Sequence, residues 1–353
     1  MLKKLSKQKI SDIINYGIVL VAFIVMQILI NAGQISSLFE GLMVPLCTYI
    51  ILAISLNLVV GVLGELSLGH AGFMCVGAFT SAFFSKCMQD TITNSIVRFL
   101  IALLIGIVVA AIFGLLIGIP VLRLNGDYLA IVTLAFGEII KNIVNVLFIG
   151  KDSKGFHFST KDVMALNMEP DGKVIVNGPQ GITGAPKDAT FFIGFILVLI
   201  TLFIVLNLIH SRDGRAIMAI RDNRIAAESI GINITKYKLM TFTISAAMAG
   251  AAGVLYGHNL SNLTANTNNF GYNMSINILV FVVLGGIGNI RGSIISAVVL
   301  TLLPELLRGL SDYRMLIYAI VLIVMMLFNW APKAIEWREK YLSFKKNKKE
   351  AVK

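Results

Sequence analysis

The sequence predicts an all-α polytopic membrane protein with about ten transmembrane helices, within a range of about eight to eleven. The first observation is composition, since 57% of the 353 residues are hydrophobic and only 14% are charged. The mean hydropathy is +0.83, and a water-soluble domain is normally about a quarter charged. The second observation is a series of long apolar runs, and the third is a basic excess on one side of them. Together these observations exclude an ordinary soluble enzyme.

Each apolar run approaches the roughly 20 residues that a helix needs to cross a bilayer. The ten runs occupy residues 15–31, 41–62, 67–85, 97–120, 128–149, 190–210, 240–258, 273–289, 293–308 and 314–331. The third run is rich in Gly, Ser and His, and the eighth and ninth are joined by a glycine-rich stretch with almost no loop. We expect one or more broken or re-entrant helices in these two regions, which a membrane tolerates where protein or a cavity covers the freed backbone.

The distribution of charge predicts the orientation. The first run follows several lysines and precedes no small-residue cleavage site, so we expect an uncleaved helix that starts in the cytoplasm. Alternation then gives a basic cytoplasmic N-terminus at 1–14, a transmembrane domain at 15–331 and a basic cytoplasmic tail at 332–353. Residues 150–189 lie outside and residues 211–239 inside. The inside connections hold 20 of the 30 Lys and Arg residues but 9 of the 19 acids, as the positive-inside rule requires.

The two long polar connections differ in character. Residues 150–189 carry five lysines against five acids, with Gly, Pro and Asn throughout, which is typical of turns. Residues 211–239 instead predict a short amphipathic helix that Gly231 ends. Its apolar positions, which alternate with arginines and acids, are Ile217, Ile220, Ile225, Ala226 and Ile230. A cytoplasmic connection that stays helical is a candidate docking surface.

Common catalytic and ligand-binding motifs do not occur in the sequence. There is no Gly-x-x-x-x-Gly-Lys-Ser/Thr pattern, so an ATP-driven process would need another subunit to bind the ATP. There is no His-Glu-x-x-His, and the three cysteines match neither metal dyads nor a disulfide framework. The net charge of +11 belongs to no soluble basic domain that could bind nucleic acid. We predict no enzyme activity, no cofactor or metal site and no nucleic-acid partner for this chain.

Polar residues and glycines are concentrated around the third apolar run. The candidate lining of a substrate path in this region is Asn57, Gly64, Ser67, Gly69 and His70. A broken helix here would free backbone groups and helix ends, as in transporters with discontinuous helices. Alternatively, the glycines only permit close packing, and the Asn and His side chains satisfy each other or the neighbouring backbone. The residues alone leave both interpretations open.

Two charged residues lie in the otherwise apolar fifth run. Glu138 and Lys141 are three positions apart, on one helical face with Asn142 and Asn145. A lone charge at the bilayer centre costs about 2.5 to 3.5 kcal/mol on insertion scales, so a partner or a wet cavity is expected. Glu138 is therefore a further candidate for the path lining, and a structural ion pair or a subunit contact is the alternative.

Three stretches together resemble the LivM-type permeases of high-affinity branched-chain amino acid ABC transporters. They are Leu56–Gly61 with Gly64–Phe73 and Gly77–Ala78, Ala219–Asn233 with Tyr237–Lys238, and Leu284–Asn289 with Gly292 and Leu303–Glu305. The resemblance runs from about residue 45 to residue 330, with the motifs in the family's order. Glu65, Arg224, and Arg291 with Ser293 stand where other residues are commoner in the family, which leaves the fine substrate specificity open.

The resemblance implies a cytoplasmic segment that sits in a groove of an ATPase subunit and transmits nucleotide-driven closure to the spans. The coupling candidates are Arg221, Asp222, Asn223, Ala226, Ala227, Glu228 and Gly231. It also implies a non-covalent transport role, with ATP and Mg²⁺ used by partner subunits and no cofactor in this chain.

The implied setting is a bacterial plasma-membrane importer for Leu, Ile or Val, embedded in the lipid bilayer. The implied partners are a sister LivH-type permease, two ATPase subunits of the LivG and LivF type, and an extracytoplasmic amino-acid-binding protein. Permeases of this class that import urea, amides or other amino acids are the first alternative. An ion-coupled secondary transporter that uses Glu138 and Lys141 is the second.

Overall fold

The computed structural model describes residues 7–32, 37–124, 126–170, 172–307 and 313–330, and it is mainly helical. The helices are α1 (Lys7–Asn31), α2 (Ser37–Asn57), α3 (His70–Cys87), α4 (Ser95–Val121), α5 (Asp127–Val146), α6 (Phe191–His210), α7 (Arg212–Asp222), α8 (Arg224–Ser229), α9 (Ile234–Gly257), α10 (Thr267–Phe270), α11 (Tyr272–Gly285), α12 (Ile290–Leu306) and α13 (Arg314–Trp330). Each predicted apolar run contains a helix. The first six residues of the basic N-terminus and the basic tail lie outside the described residues.

The prediction of a polytopic membrane protein is confirmed by helix length and composition. Five described helical segments are long and apolar enough to cross a bilayer: Phe39–Leu63, Ser95–Val121, Asp127–Val146, Phe191–His210 and Ile234–Gly257. Helices α11 and α12 have only 14 and 17 residues, and α3 is less apolar. The count of ten spans and the side on which the termini lie therefore stay predictions.

The expectation of an all-α chain is wrong for the connections at one end of the bundle. Five short strands occur there: β1 (Phe148–Asp152), β2 (Gly155–Ser159), β3 (Lys173–Asn177), β4 (Ile182–Thr183) and β5 (Asn262–Leu263). The first three form an antiparallel sheet in the order β2–β1–β3, and β4 pairs with β5. β-Branched and aromatic residues favour these strands, but each strand is too short to stand out in a hydropathy window of spanning length. Helix α5 ends at Val146, and strand β1 begins at Phe148. The strand therefore starts inside the fifth apolar run, predicted at 128–149.

Alternating helices connect two ends of the bundle. At the sheet end, Lys86 of α3 donates to the carbonyl of Thr183 at 2.7 Å, and the N–H of Ala189, just before α6, donates to the carbonyl of His258 after α9. At the other end, α6 leads into α7 and α8, and these lead into α9. We call this second end the α7 end. The alternation places 150–189 and 211–239 on opposite sides, in agreement with the predicted topology.

Two helices begin well inside the bundle rather than at its surface. The N–H of Leu68, just before α3, donates to Thr133 Oγ1, six residues into α5 from the α7 end. The N–H of Tyr272, the first residue of α11, donates to Glu138 Oε1, eight residues short of the sheet end of α5. At a rise of about 1.5 Å per residue, these starts lie roughly 9 and 12 Å from the two ends of α5. The hydrogen bond from Ala71 N–H to Ser275 Oγ joins them.

Candidate functional site

The chain breaks between α2 and α3. Helix α2 passes directly into a π-helical turn, Leu58–Leu63, and residues 64–69 have no regular structure. Gly64 ends the turn with φ of +81°, a left-handed conformation that glycine adopts without a steric penalty. The broken helix expected from the sequence is therefore present. It leaves the carbonyl end of α2 available for contacts with other elements.

Arg221, at the end of α7, covers this carbonyl end. Its Nη1 donates to the carbonyl of Gly61 at 3.0 Å, and its Nε and Nη2 donate to the Asp222 carboxylate at 3.0 and 2.9 Å. The aliphatic part of Arg221 lies on Gly64, where an added Cβ would stand 2.6 Å from Arg221 Cγ. A cation is favourable at the negative end of a helix. The coupling candidates Arg221 and Asp222 thus attach α7 to the end of α2.

A second link joins the same break to α9. Lys238, in the second turn of α9, forms an ion pair with Glu65, which follows Gly64. The two side chains are 4% and 14% exposed. Because both charges are largely withdrawn from water, loss of either one leaves the other without compensation. The break is therefore tied both to α7, through Arg221, and to α9, through Lys238.

The first turn of α3 is held by buried hydroxyl groups. His70 Nε2 lies 2.8 Å from Ser245 Oγ of α9, and Ser245 Oγ donates to the carbonyl of Ser55 in α2 at 2.6 Å. Because the serine proton is committed to that carbonyl, Nε2 is the donor to Ser245. His70 Nδ1 has no hydrogen-bond partner among the described residues. One histidine thus connects α3 to α9 and, through the serine, to α2.

The end of α2 is also joined to the turn between α11 and α12. Asn57 Nδ2 donates to Ser293 Oγ at 2.8 Å, and the N–H of Gly288 donates to Asn57 Oδ1 at 2.8 Å. Gly61 packs against the backbone of Gly288 so closely that an added Cβ would overlap it. Asn57 and His70 therefore satisfy their hydrogen bonds through different helices and not through each other.

Four of the predicted path residues are buried by the chain itself. Ser67 is fully buried, and Asn57 and His70 are each 1% exposed. Gly69 packs on α5, where an added Cβ would stand 2.8 Å from the carbonyl of Thr133. Gly64 alone of this set is exposed. These residues form a packed joint between α2, α3, α5 and α9, and their role in a substrate path stays a prediction.

Glu138 forms an ion pair and also fixes the start of α11. Lys141 Nζ donates to Glu138 Oε2 at 2.5 Å and lies 3.3 Å from Thr267 Oγ1. The other carboxylate oxygen accepts the N–H of Tyr272 at 2.8 Å. Asn145, one turn further along α5, donates to the carbonyl of Ala265 at 2.9 Å. The structural ion pair considered from the sequence is therefore present. Together with these hydrogen bonds, it holds the segment 259–271, which connects α9 to α11, against α5.

The coupling candidates occupy two helices rather than one. Asn223 has extended backbone angles, and its Oδ1 accepts the N–H of Ala226 at 3.0 Å as the N-cap of α8. Asparagine favours this position because its side chain satisfies a free N–H at a helix start. Ala227 is buried in a small cluster with Ile220 and Ile234. Gly231 has φ of +87°, so the predicted helix stop is confirmed.

The predicted apolar face of this segment is wrong in its second half. Ile217 and Ile220 are buried, but Ile225 and Ile230 are 81% and 75% exposed. The break at Asn223 turns α8 relative to α7, and the two isoleucines therefore leave the face that packs on the chain. Glu228 and Ala226 are exposed beside them. Helix α8 thus presents a mixed surface at the α7 end, in which Ile225 and Ala226 lie beside the charged residues Arg224 and Glu228.

Sequence reasoning missed the polar contacts that hold the sheet end. Arg98, at the start of α4, makes a two-pronged ion pair with Asp188 through Nε and Nη2 at 2.9 and 2.7 Å. The two side chains are 6% and 5% exposed. Ser85 Oγ lies 2.7 Å from His258 Nε2, and His258 Nδ1 lies 2.9 Å from the carbonyl of Val254. Arg98 and Asp188 are 90 positions apart and Ser85 and His258 are 173 apart, so local patterns carry no signal for these two pairs.

The turn between β1 and β2 is held by one carboxylate. The Asp152 side chain is fully buried, and it accepts hydrogen bonds from the N–H groups of Lys154, Gly155 and Glu169 at 2.8, 3.1 and 3.3 Å. His157 Nε2 lies 2.9 Å from the same carboxylate. Burial alone would raise the pKa of Asp152, but these hydrogen bonds together lower it below its ordinary value of 3.8.

We expect this turn to loosen in acid. A carboxyl whose pKa is lowered by folding stabilises the fold above its unfolded pKa, and that contribution is lost as the pH falls through the folded value. Amide exchange at Lys154 and Gly155, corrected for intrinsic rates, should therefore accelerate below the ordinary value of 3.8. The Asp152→Ala variant should exchange quickly at neutral pH, whereas Asp162→Ala, which removes an exposed cap elsewhere in the loop, should not. Equal protection in all three proteins would contradict the role of Asp152.

A bundle of apolar helices, two of which begin inside it, with a helical segment held out at one end, has the architecture of a membrane transport permease. The chain belongs to the branched-chain amino acid transport permease family. The profile described as "Branched-chain amino acid transport system / permease component" matches residues 38–328.

Individual proteins that are similar to this chain include members of the same type of transport system. The chain is 35% identical to the high-affinity branched-chain amino acid transport system permease protein LivM of Salmonella typhimurium and that of Escherichia coli, over 81% of this chain and 67% of theirs. It is 25% identical to the permease protein LivH of Salmonella typhimurium, over 79% of this chain and 89% of that protein. It is also 25% identical to the fructose import permease protein FruG of Bifidobacterium longum, over 94% of each chain. No solved structure matches the chain significantly.

Proposed function

We propose that this chain is one permease subunit of an ATP-driven importer of branched-chain amino acids in a bacterial plasma membrane. The observation that carries the proposal is the attachment of the exposed α7–α8 segment to the broken end of α2, in a chain that is 35% identical to LivM. The similarity to both LivM and LivH supports a transporter that contains two different permeases.

The physical chemistry of the cargo requires a polar path across the membrane. An amino acid carries two charges, and ~30 Å of hydrocarbon is a high barrier to them. A polar path that opens alternately to the two sides avoids this barrier. This chain supplies one wall of the path and a sister permease supplies the other. An extracytoplasmic binding protein delivers Leu, Ile or Val at the sheet end.

Helix α8 is the surface that we assign to the ATPase partner. Ile225, Glu228 and Ile230 are exposed, while Ala227 anchors the helix to its own chain. ATP hydrolysis with Mg²⁺ in the partner subunits supplies the work. A displacement of α8 moves α7, and Arg221 passes this motion to the π-helical turn of α2. The ion pair of Glu65 and Lys238 connects α9 to the residues that follow this turn, so α9 moves together with them.

Uptake by the complete transporter tests the function. Proteoliposomes that contain this chain, the sister permease, both ATPases and the binding protein should accumulate labelled leucine only when ATP is present on the ATPase side. Omission of the ATPases should abolish uptake even when an ion gradient is imposed. Robust gradient-driven uptake without ATPases would instead establish the secondary transporter, and ATP-driven uptake of urea, an amide or fructose but not leucine would reassign the cargo.

A further inference from the structure

Helices α5 and α11 carry exposed polar side chains. Asn277 of α11 and Asn142 of α5 are exposed, and Asn273, the second residue of α11, is half-buried. Tyr272 is 46% exposed. We call these four residues the amide face. The side chains of Asn142 and Asn277 make no hydrogen bond to another described residue, and Asn273 donates only to the Asn268 side chain, at 2.9 Å.

The contacts of α11 fix the depth of this face. Tyr272 lies level with Glu138 because the two are hydrogen-bonded, and Glu138 is the twelfth of the 20 residues of α5. Helix α11 then runs toward the α7 end, where Gly288 meets Asn57. Asn277 is five residues further along, or about 7.5 Å deeper. Most of the amide face therefore lies near the middle of the bundle's thickness and not at a water-facing rim.

Other exposed helix faces at this depth are apolar. Every exposed residue of α4 from Leu100 to Ile119 is aliphatic, as a surface in contact with lipid requires. The exposed residues of α6 from Ile196 to Ile204 are isoleucine and phenylalanine. The amide face differs from both although it belongs to the same bundle. Its environment in the assembled protein must therefore differ from that of α4 and α6.

Hydrocarbon is a poor environment for these groups. An amide in an apolar medium without a hydrogen-bond partner loses its interactions with water and gains none in return. Polar side chains within membrane segments accordingly face a bundle interior or a water-filled cavity. The Glu138–Lys141 pair cannot supply the missing partners, because its carboxylate oxygens are committed to Lys141 and to the backbone of Tyr272. Water, a solute in water or a polar group of a neighbouring subunit must therefore satisfy the amide face.

We propose that the amide face lines the aqueous path of the transporter and contacts the permeating zwitterion, with the sister permease as the opposite wall. This inference rests on the proposed function. An amide offers a donor to a carboxylate and an acceptor to an ammonium group without a fixed charge that would hold either one. The exposed side chains of Ile139 and Ile276, on the same two helices, offer an apolar surface to an aliphatic side chain. The face therefore fits a small aliphatic amino acid that must bind weakly and leave.

Cysteine accessibility in the complete transporter tests the proposal. Cys47, Cys75 and Cys87 are first replaced with alanine, and single cysteines are placed at Asn277 or Asn273. The matched control is Ile112→Cys on α4, which is 51% exposed. Ile112 lies six residues past Gly106, where α4 meets Gly77 of α3, and thus close to the depth of Ser275. The reagent is a charged, membrane-impermeant methanethiosulfonate.

We expect Asn277→Cys and Asn273→Cys to be labelled at least about tenfold faster than Ile112→Cys, because the reactive thiolate needs water. Saturating leucine in the proteoliposome lumen should slow the labelling of both. Labelling of either position as slow as that of Ile112→Cys, in a transporter that still imports leucine, would overturn the inference and leave the function standing. If the cysteine-free and wild-type transporters both fail to import leucine, the proposed function fails instead. If one cysteine variant is not recovered in the membrane, the other decides the result.

Discussion

Replacing Arg221 with methionine is expected to reduce leucine uptake about tenfold while the partner ATPases continue to hydrolyse ATP. A hydrogen bond from a charged group contributes about 1.5 to 3 kcal/mol, and about 1.4 kcal/mol corresponds to a factor of ten. Methionine keeps much of the aliphatic contact with Gly64 but cannot donate to the carbonyl of Gly61. The change therefore removes the polar link between α7 and α2 and leaves α8 free to bind its partner. Uptake and ATP hydrolysis measured on the same proteoliposomes give the coupling ratio.

Arg215→Met is the matched control for this experiment. Arg215 is exposed on the same helix, and its Nη1 donates only to the carbonyl of His210, five residues earlier. The Arg215→Met change removes the same charge from the same helix but leaves the hydrogen bond between α7 and α2 in place. The Arg221→Lys variant should restore part of the coupling, because an ammonium group reaches one carbonyl but lacks the fork that also holds Asp222. A normal ratio of uptake to hydrolysis in Arg221→Met would reject the link.

The route from Arg221 continues through a short series of contacts. Arg221 holds the carbonyl of Gly61, Gly61 packs on Gly288, and Asn57 holds both Gly288 and Ser293. The α7–α8 segment, the end of α2 and the turn between α11 and α12 are thus contiguous. Because α11 carries most of the amide face, displacement of α8 has a direct structural route to the proposed path. If the proposed ATPase partner binds at the α7 end, these contacts connect it directly to the middle of the bundle.

Local sequence patterns predict the helices of this fold well. Hydropathy places a helix in every apolar run, because a spanning helix must be apolar along its whole length. The glycines around Gly64 and between α11 and α12 correctly mark the two departures from plain spans, since few other residues adopt φ of +81° or +80° there. The alternation of the helices places 150–189 and 211–239 at opposite ends of the bundle, and the side that charge asymmetry assigns to each stays a prediction. These features depend on residues that are close together in the chain.

Features that depend on distant residues are not predictable in this way. Arg221 and Gly61 are 160 positions apart, and the acceptor is a backbone carbonyl that has no sequence signature. The depth at which α11 begins depends on its bond to Glu138, 134 positions earlier. Asn277 appears in the sequence as one of several polar residues in the apolar run 273–289. Only the packing of α11 shows that Asn277 is exposed, about 7.5 Å along the helix from the residue that meets Glu138.

Loss of Lys238 is expected to have the largest effect on stability. The Lys238→Met variant leaves Glu65 partly buried and unpaired, and breaking a buried ion pair on one side costs about 3 to 5 kcal/mol. We expect less folded protein in the membrane and a lower midpoint of thermal unfolding in detergent. Lys236→Met, on the exposed side of the same turn, should change neither quantity. Fluorescence-detected size exclusion of solubilised membranes, before and after heating, gives both measurements.

A double variant separates the stability of this pair from its role in coupling. Lys238→Met combined with Glu65→Gln removes both charges, so no uncompensated charge remains and most of the lost stability should return. The link between α9 and the break is still absent, however, and leucine uptake should stay below that of the wild type at equal ATP hydrolysis. Recovery of full uptake along with stability would show that the pair serves folding alone. A double variant no more stable than Lys238→Met would show that the unpaired carboxylate is not the cause of the loss.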